Sequence, residues 1–156
     1  MRKRLLSLVF ALLICFACVG VCDNTAFAGY AEDIDITELK TEDALIGQIE
    51  NQTWGVYLAS GESIINKISA SKVGAGGTTN AAKKCTVRIT SILERKNASG
   101  SWERVISWTQ TNENAFSAGI SKSVTVPSGY YYRVRSYHYA GTDTASSNTN
   151  ALWVGN

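Results

Sequence analysis

The sequence is poor in several residue types that mark particular protein classes. Its 156 residues include one proline, one methionine and one histidine, and only 18% of the residues are charged. With 45% hydrophobic residues, this is the composition of neither a disordered chain nor a coiled coil. A formal net charge of +2 excludes, on composition alone, a strongly basic nucleic-acid-binding protein. The length fits one domain better than two.

Residues 1–28 have the three-part pattern of a secretory signal peptide. Basic residues at positions 2–4 precede an uncharged apolar stretch at 5–21, and the small residues Ala26 and Ala28 mark a cleavage site. We therefore predict cleavage after Ala28, a secreted or extracellular product, and no stable membrane span after cleavage. Two alternatives stay open: an uncleaved N-terminal anchor, and lipid attachment at Cys15, Cys18 or Cys22.

Cleavage would change both the cysteine count and the charge distribution. Three of the four cysteines lie before residue 28, so the remaining chain keeps only Cys85 and forms no intramolecular disulfide. We predict a buried, inert thiol there, with intermolecular pairing as the alternative. Residues 30–62 contain eight acidic residues and one basic residue, whereas residues 63–156 contain four acidic and eleven basic ones. Residues 29–62 are therefore predicted to be an acidic leader, partly disordered, or else an intramolecular partner that covers a basic face of the body.

Residues 63–156 alternate polar and apolar side chains between closely spaced turn signals, a pattern typical of β-sandwiches. Predicted strands cover residues 64–71, 84–94, 102–111, 119–126, 130–139 and 151–154, and predicted turns lie at 74–77, 96–100 and 127–129. No segment of this body has an apolar helical stripe. The sequence therefore predicts an all-β fold, an antiparallel β-sandwich of about seven strands.

The strand predicted at residues 130–139 has a familiar pattern. Residues 129–138 read Gly-Tyr-Tyr-Tyr-Arg-Val-Arg-Ser-Tyr-His, and an Ala-Gly turn follows at 140–141. This run resembles the penultimate strand of fibronectin type III and related immunoglobulin-like sandwiches.

The wider region 78–154 resembles an uncharacterised family of small secreted proteins of Gram-positive bacteria, a domain of unknown function. The shared motifs are Val-x-Ile, Leu-x-Arg, Gly-Ser-Trp, Ser-Lys-Ser-Val-Thr-Val, Gly-Tyr-Tyr-Tyr-Arg-Val-Arg and Leu-Trp-Val, at residues 87–89, 93–95, 100–102, 121–126, 129–135 and 152–154. The resemblance implies a β-sandwich and an extracellular location, and it supplies no catalytic residue. The acidic leader lies outside it.

Motifs that carry catalysis are missing from the sequence. There is no Gly-x-Ser-x-Gly elbow, phosphate loop, dinucleotide fingerprint or Cys/His zinc spacing. The single histidine, His138, shares the strand parity of Val134 and is expected to be structural or at the surface; a catalytic base is the alternative. Glu94 and Glu103 flank one hairpin, where a glycosidase pair is the alternative to surface carboxylates paired with arginine. We predict no enzyme activity, catalytic residue, metal site or cofactor.

The strand at 130–139 also supplies the candidate binding residues. If Val134 points inward, five tyrosine and arginine side chains share the outer face, and we call them the Tyr/Arg stripe: Tyr131, Arg133, Arg135, Tyr137 and Tyr139. Such a stripe can bind glycan rings, anionic wall polymers or a protein by stacking and bidentate contacts. The alternative is a cross-strand ladder, in which tyrosine rings cover the sheet and arginine stems lie over neighbours. Trp102 and Trp108 share the parity of Ile106 and are predicted to be core residues.

These observations predict a secreted, non-enzymatic bacterial protein that acts as a cell-surface or extracellular binding module. It would use the Tyr/Arg stripe, with added charge from Arg88, Arg95 or Lys96, to bind a cell-wall glycan or a protein partner, and not nucleic acid. The alternative is a secreted antimicrobial or toxin-like effector whose acidic leader masks a basic sandwich. A structural role in a surface coat is a third hypothesis. The sequence alone selects no ligand.

Overall fold

The computed structural model describes residues 30–49 and 55–156, so the predicted signal peptide lies outside the described residues. The described chain has eight strands and one short helix, and the all-β class is confirmed. In chain order they are β1 (Ala31–Asp33), α1 (Ile36–Leu39), β2 (Leu45–Gln48), β3 (Leu58–Ser69), β4 (Lys72–Lys96), β5 (Trp102–Thr125), β6 (Tyr130–Ala140), β7 (Asp143–Asn148) and β8 (Leu152–Val154). The helical residues of these two ranges form no segment with the length and apolar character of a membrane crossing.

The eight strands pair antiparallel in one sheet that is organised around β4. One edge of β4 pairs with β5; the other pairs with β3 over residues 72–81 and with β6 over residues 87–95. β2 extends the sheet beyond β3, β1 pairs with the end of β5, and β7 and β8 pair with successive parts of β6. A bridge between Ile49 and Ser147 joins the end of β2 to β7. The sheet therefore curls back on itself. Its first half, β3 with residues 72–81 of β4, and its second half, β6 with residues 87–95 of β4, both contribute buried residues to the core.

The strands of the body are longer than the sequence pattern predicts. Residues 84–94 are the second half of β4, which is 25 residues long, and residues 102–111 and 119–126 fall almost entirely within the 24-residue β5. The polar stretch before the last strand contains β7, which was not predicted. The strand predicted at 130–139 is confirmed as β6, and the turns at 96–100 and 127–129 join β4 to β5 and β5 to β6. In those turns Gly100 and Gly129 have φ angles of +85° and +83°, which favour glycine.

The predicted turn at residues 74–77 is wrong, because these residues lie inside β4. The neighbouring strands come so close that a Cβ on Gly76 would collide with the carbonyl oxygen of Ile120 and lie 2.8 Å from the Cα of Ser121. A Cβ on Gly77 would collide with the carbonyl oxygen of Glu62. Neither glycine has a positive φ, so glycine is required here for its missing side chain.

The described part of the acidic leader is built into the sheet. Residues 31–33 pair with β5, residues 45–48 pair with β3, and Leu39 of α1 is fully buried. Glu32 lies 3.2 Å from the ammonium of Lys72, and Asp33 pairs with Lys122, so acidic residues of the leader contact basic residues of the body. The predicted boundary after residue 62 falls inside β3, and the body of the fold therefore begins upstream of it.

The core lies between the two halves of the curled sheet. Alternate residues of β4, including Val87, Ile89 and Leu93, are fully buried, as the period of two predicts. The larger of two buried clusters joins one half to the other, with Ile65 of β3 and Tyr132 of β6 among its members. Cys85 is a free thiol at the end of the inward row of β4 and is only half-buried.

Candidate binding face

β6 presents the whole Tyr/Arg stripe on its outer face, as the alternation predicts. Val134 is fully buried, so the stripe residues, at alternate positions, point to the opposite side of the sheet. The side chains of Tyr131 and Tyr137 are 47% and 48% exposed, and the other three members of the stripe are half-buried. The structure therefore brings the five candidate residues together on one accessible face.

A tryptophan outside the predicted binding residues lies beside the stripe. β8 pairs with the start of β6, and this register sets Trp153 directly opposite Tyr131. The ring centroids are 5.0 Å apart at an interplanar angle of 59°, and Trp153 is 43% exposed. This end of the face therefore carries a pair of exposed aromatic rings.

A buried carboxylate holds the two arginines in the middle of the stripe. Glu94 of β4 lies opposite Arg133 in the register, and its side chain is only 3% exposed. Its Oε2 accepts a hydrogen bond of 2.7 Å from Nε of Arg133, and its Oε1 pairs with Nη2 of Arg135. One carboxylate thus fixes two guanidinium groups side by side, and their charges exceed its own by one.

The alternative of a carboxylate pair between Glu94 and Glu103 does not match the register. β4 and β5 pair Glu94 with Arg104, and Arg95 with Glu103. Residues opposite each other share a face, and adjacent residues of a strand do not. The two carboxylates therefore lie on opposite faces of the sheet. Glu103 pairs with Arg95, as predicted for a surface carboxylate.

The prediction that Trp102 is a core residue is wrong. The guanidinium carbon of Arg133 lies 4.3 Å from the centroid of the Trp102 ring, so Trp102 belongs to the outer face. The cause is a bulge in β5: Leu93 pairs with Ile106 and Glu94 with Arg104, which leaves Val105 as an extra residue and shifts the parity. Trp108, beyond the bulge, packs against the core as predicted.

A shallow groove lies at the other end of the stripe. Its volume is about 480 Å³, and Tyr137, Tyr139 and Arg88 line it together with hydroxyl side chains of three strands, Thr90, Thr109, Thr144 and Ser146. The guanidinium of Arg88 lies 4.9 Å from the centroid of the Tyr139 ring. Hydroxyl groups that both donate and accept, next to aromatic rings, suit a polar ligand with flat apolar faces.

His138 lies behind the stripe, inside the sheet. Its Nδ1 is 2.8 Å from Oγ1 of Thr79, its Nε2 is 2.8 Å from Oγ of Ser147, and that hydroxyl is 2.6 Å from Oγ of Ser63. All four side chains are buried, and burial lowers the pKa of His138 to about 4. The imidazole is therefore neutral at pH 7 and joins β6 and β7 to β3 and β4.

Replacing the buried carboxylate tests how the stripe is held. Glu94→Gln is expected to lower the free energy of unfolding by about 2 kcal/mol, since Arg133 and Arg135 lose their shared counter-ion but still reach water. The matched variant Glu103→Gln removes a partly exposed ion pair with Arg95 and is expected to lose only about 0.5 kcal/mol. Urea denaturation of both variants measures the difference, and equal losses would show that Glu94 contributes no more than a surface ion pair.

Comparison with known proteins identifies a family. The chain matches the model of a family described as a family of unknown function (DUF6147) over residues 25–153. No curated protein and no solved structure matches. The match covers the whole Tyr/Arg stripe and also the acidic leader, which the resemblance over residues 78–154 leaves out. The resemblance to a domain of unknown function is confirmed at that level.

Proposed function

We propose that this chain, which belongs to the DUF6147 family of unknown function, is a secreted, non-enzymatic binding module that uses the outer face of β6. One observation carries the proposal: three large aromatic side chains, Tyr131, Tyr137 and Trp153, are 47%, 48% and 43% exposed on one sheet. Exposed aromatic groups beside arginines are enriched at binding surfaces, because they supply large contact areas with few rotatable bonds.

The arginines of the stripe favour the same function. Glu94 and the ring of Trp102 already fix the guanidinium of Arg133, so a ligand orders few side chains when it binds. A guanidinium has five N–H donors, and Glu94 occupies only some of them on Arg133 and Arg135. The cross-strand contacts thus position the face without using up its binding capacity.

Export and an immunoglobulin-like architecture are part of the proposal. The signal-peptide pattern at residues 1–28 supports secretion from a bacterial cell. The hydroxyl of Tyr132, near the start of β6, donates to the carbonyl oxygen of Pro127 at 2.7 Å, which resembles the tyrosine corner of immunoglobulin-like sandwiches. The two facing halves of the curled sheet also suit a two-layered fold.

The contacts of the leader favour a binding module over a masked effector. Glu32 and Asp33 pair with Lys72 and Lys122, which lie on parts of β4 and β5 that do not pair with β6. The described residues of the leader therefore neutralise charge away from the Tyr/Arg stripe, and Tyr131 and Tyr137 are exposed with those residues in place.

A triple variant tests the proposal. Replacing Tyr131, Arg135 and Tyr137 with serine is expected to reduce retention of the protein on insoluble Gram-positive cell walls at least tenfold, because central aromatic and arginine residues each contribute more than about 1 kcal/mol at binding surfaces. Retention is measured by pull-down, and circular dichroism checks that the variant is folded.

A matched variant controls for the loss of exposed side chains in general. Tyr30, immediately before β1, is 72% exposed, and Lys83 is exposed where the pairing of β4 with β5 is irregular. Tyr30→Ser with Lys83→Ser therefore removes similar groups outside the face. This variant should be retained like the original protein. Unchanged retention of the folded triple variant would contradict the proposed function.

A further inference from the structure

The order of side chains along β6 carries information about the ligand. Aromatic rings stand at both ends of the stripe, with Trp153 beside Tyr131 at one end and Tyr137 and Tyr139 at the other. Arg133 and Arg135 lie between them. Tyr131 and Tyr137 are six residues apart on an extended strand, which corresponds to roughly 20 Å. A ligand that contacts both ends is therefore an extended chain with several rings.

The centre of the face favours negative charge. Glu94 offsets one of the two positive charges of Arg133 and Arg135, and Arg88 adds another beside the groove. Guanidinium groups bind carboxylates and phosphates by paired hydrogen bonds, and Glu94 holds the two groups next to each other. A regularly spaced anionic group on the ligand would meet this pair while neighbouring rings reach the aromatic ends.

The hydroxyl side chains at the groove indicate that the rings of the ligand are sugars. Thr90, Thr109, Thr144 and Ser146 line the groove around Tyr137. Sugar rings present hydroxyl groups at their edges and C–H groups on their faces, so one ring can hydrogen-bond to these side chains and pack on a tyrosine. A nucleic acid would also offer rings and negative charge, but residues 29–156 carry as many acidic as basic residues and give it little long-range attraction.

We propose that the outer face of β6 binds an acidic polysaccharide, whose anionic groups contact Arg133 and Arg135 while its sugar rings stack on the Tyr131–Trp153 pair and on Tyr137. This inference rests on the proposed binding function and names its ligand class. The anionic group is a carboxylate or a phosphate on the glycan chain. The contacts are non-covalent.

Three polymers separate the contributions of charge and rings. Polygalacturonate carries one carboxylate per sugar, its methyl ester has the same backbone without the charge, and poly(glycerol phosphate) has charge without sugar rings. Isothermal titration with the full mature chain is expected to give an affinity for polygalacturonate at least tenfold higher than for the ester. The affinity for poly(glycerol phosphate) is expected to be intermediate, and added salt should weaken the binding of both charged polymers.

Single substitutions test separately the arginines at the centre of the stripe and the aromatic rings at its ends. Arg135→Gln should weaken polygalacturonate binding about tenfold and leave ester binding unchanged, as expected for loss of one charge-assisted contact. Tyr131→Ser should weaken the binding of both polymers, because it removes a stacking ring and no charge. Lys83→Gln removes an exposed charge outside the face and should change neither affinity.

The outcomes distinguish this inference from the proposed function. Equal affinities for polygalacturonate and its ester would contradict an acidic ligand. A higher affinity for oligothymidylate, a single-stranded nucleic acid, than for polygalacturonate would contradict a glycan ligand. Failure of all three polymers to bind would also overturn the inference, whereas the binding function would still stand if the triple serine variant lost retention on cell walls. If that variant kept its retention, the proposed function itself would fail.

Discussion

Between pH 7 and pH 4, the free energy of unfolding is expected to fall by about 3 kcal/mol through His138 alone. Burial lowers the pKa of this imidazole from 6.5 to about 4 in the folded protein. Below pH 6.5 the unfolded chain binds a proton that the folded protein does not accept until the pH approaches 4. Stability is therefore fully present above pH 6.5 and is lost as the pH falls through this window, by about 2 kcal/mol at pH 5.

The surroundings of His138 explain the direction of the shift. Both ring nitrogens bond to hydroxyl groups, Thr79 on one side and Ser147 on the other, and neither hydroxyl carries a charge that would stabilise an imidazolium. Glu62 acts in the opposite direction and raises the pKa, but its effect is smaller than that of desolvation. A Cβ on Gly61 would lie 2.6 Å from the ring, so the backbone of β3 packs directly against one side of the imidazole.

Urea denaturation at pH 7, 6 and 5 measures this loss of stability. These pH values lie above the range in which most carboxylates titrate. The variant His138→Gln keeps an amide donor and acceptor in place of the imidazole and does not titrate. Its stability should be almost the same at pH 7 and pH 5, whatever its absolute value. A slope that persists in the variant, or equal stability of the original protein at the two pH values, would contradict the assignment to His138.

The outward alternation of β6 could be predicted from sequence because it depends only on local geometry. A strand has a period of two, and Val134 defines the inward parity, so the positions of Tyr131 and Tyr137 follow. The partners of the stripe could not be predicted in this way. Glu94 is 39 residues from Arg133 in the chain, and Trp153 reaches Tyr131 only through the pairing of β8 with β6.

The local sequence pattern is a poor predictor of strand length and of which side chains share a face. Particular residues show the physical reasons. Glycines usually end strands, yet at residues 74–77 they allow three strands to come together, and β4 continues through them. Asn114 has a φ of 47°, and β5 nevertheless continues on both sides of it. The extra residue Val105 reverses the face of Trp102, and nothing in the local pattern marks it. Close approach and register are properties of neighbouring strands, which a single strand does not encode.

Gly76→Ala is expected to lower the free energy of unfolding by about 3 kcal/mol and the melting temperature by roughly 10 °C. The added Cβ would collide with the carbonyl oxygen of Ile120 and lie 2.8 Å from the Cα of Ser121. These are backbone atoms of β5, which no rotamer change can move aside, so the two strands must separate locally. Circular dichroism during heating and urea denaturation at pH 7 measure both quantities.

Gly119→Ala is the matched control for this substitution. Gly119 lies on β5 opposite Thr78, which is two residues after Gly76 on β4. The nearest atom to its added Cβ is the methyl group of Thr78 at 3.3 Å. We expect a change within about 1 kcal/mol, and equal losses in the two variants would show that close approach of the backbones is not what requires glycine at Gly76. Because residue 76 lies in the half of β4 that does not pair with β6, the folded fraction of Gly76→Ala should still be retained on cell walls. Stability and binding would then be separable, as expected if the curled sheet only supports a binding face formed on its other half.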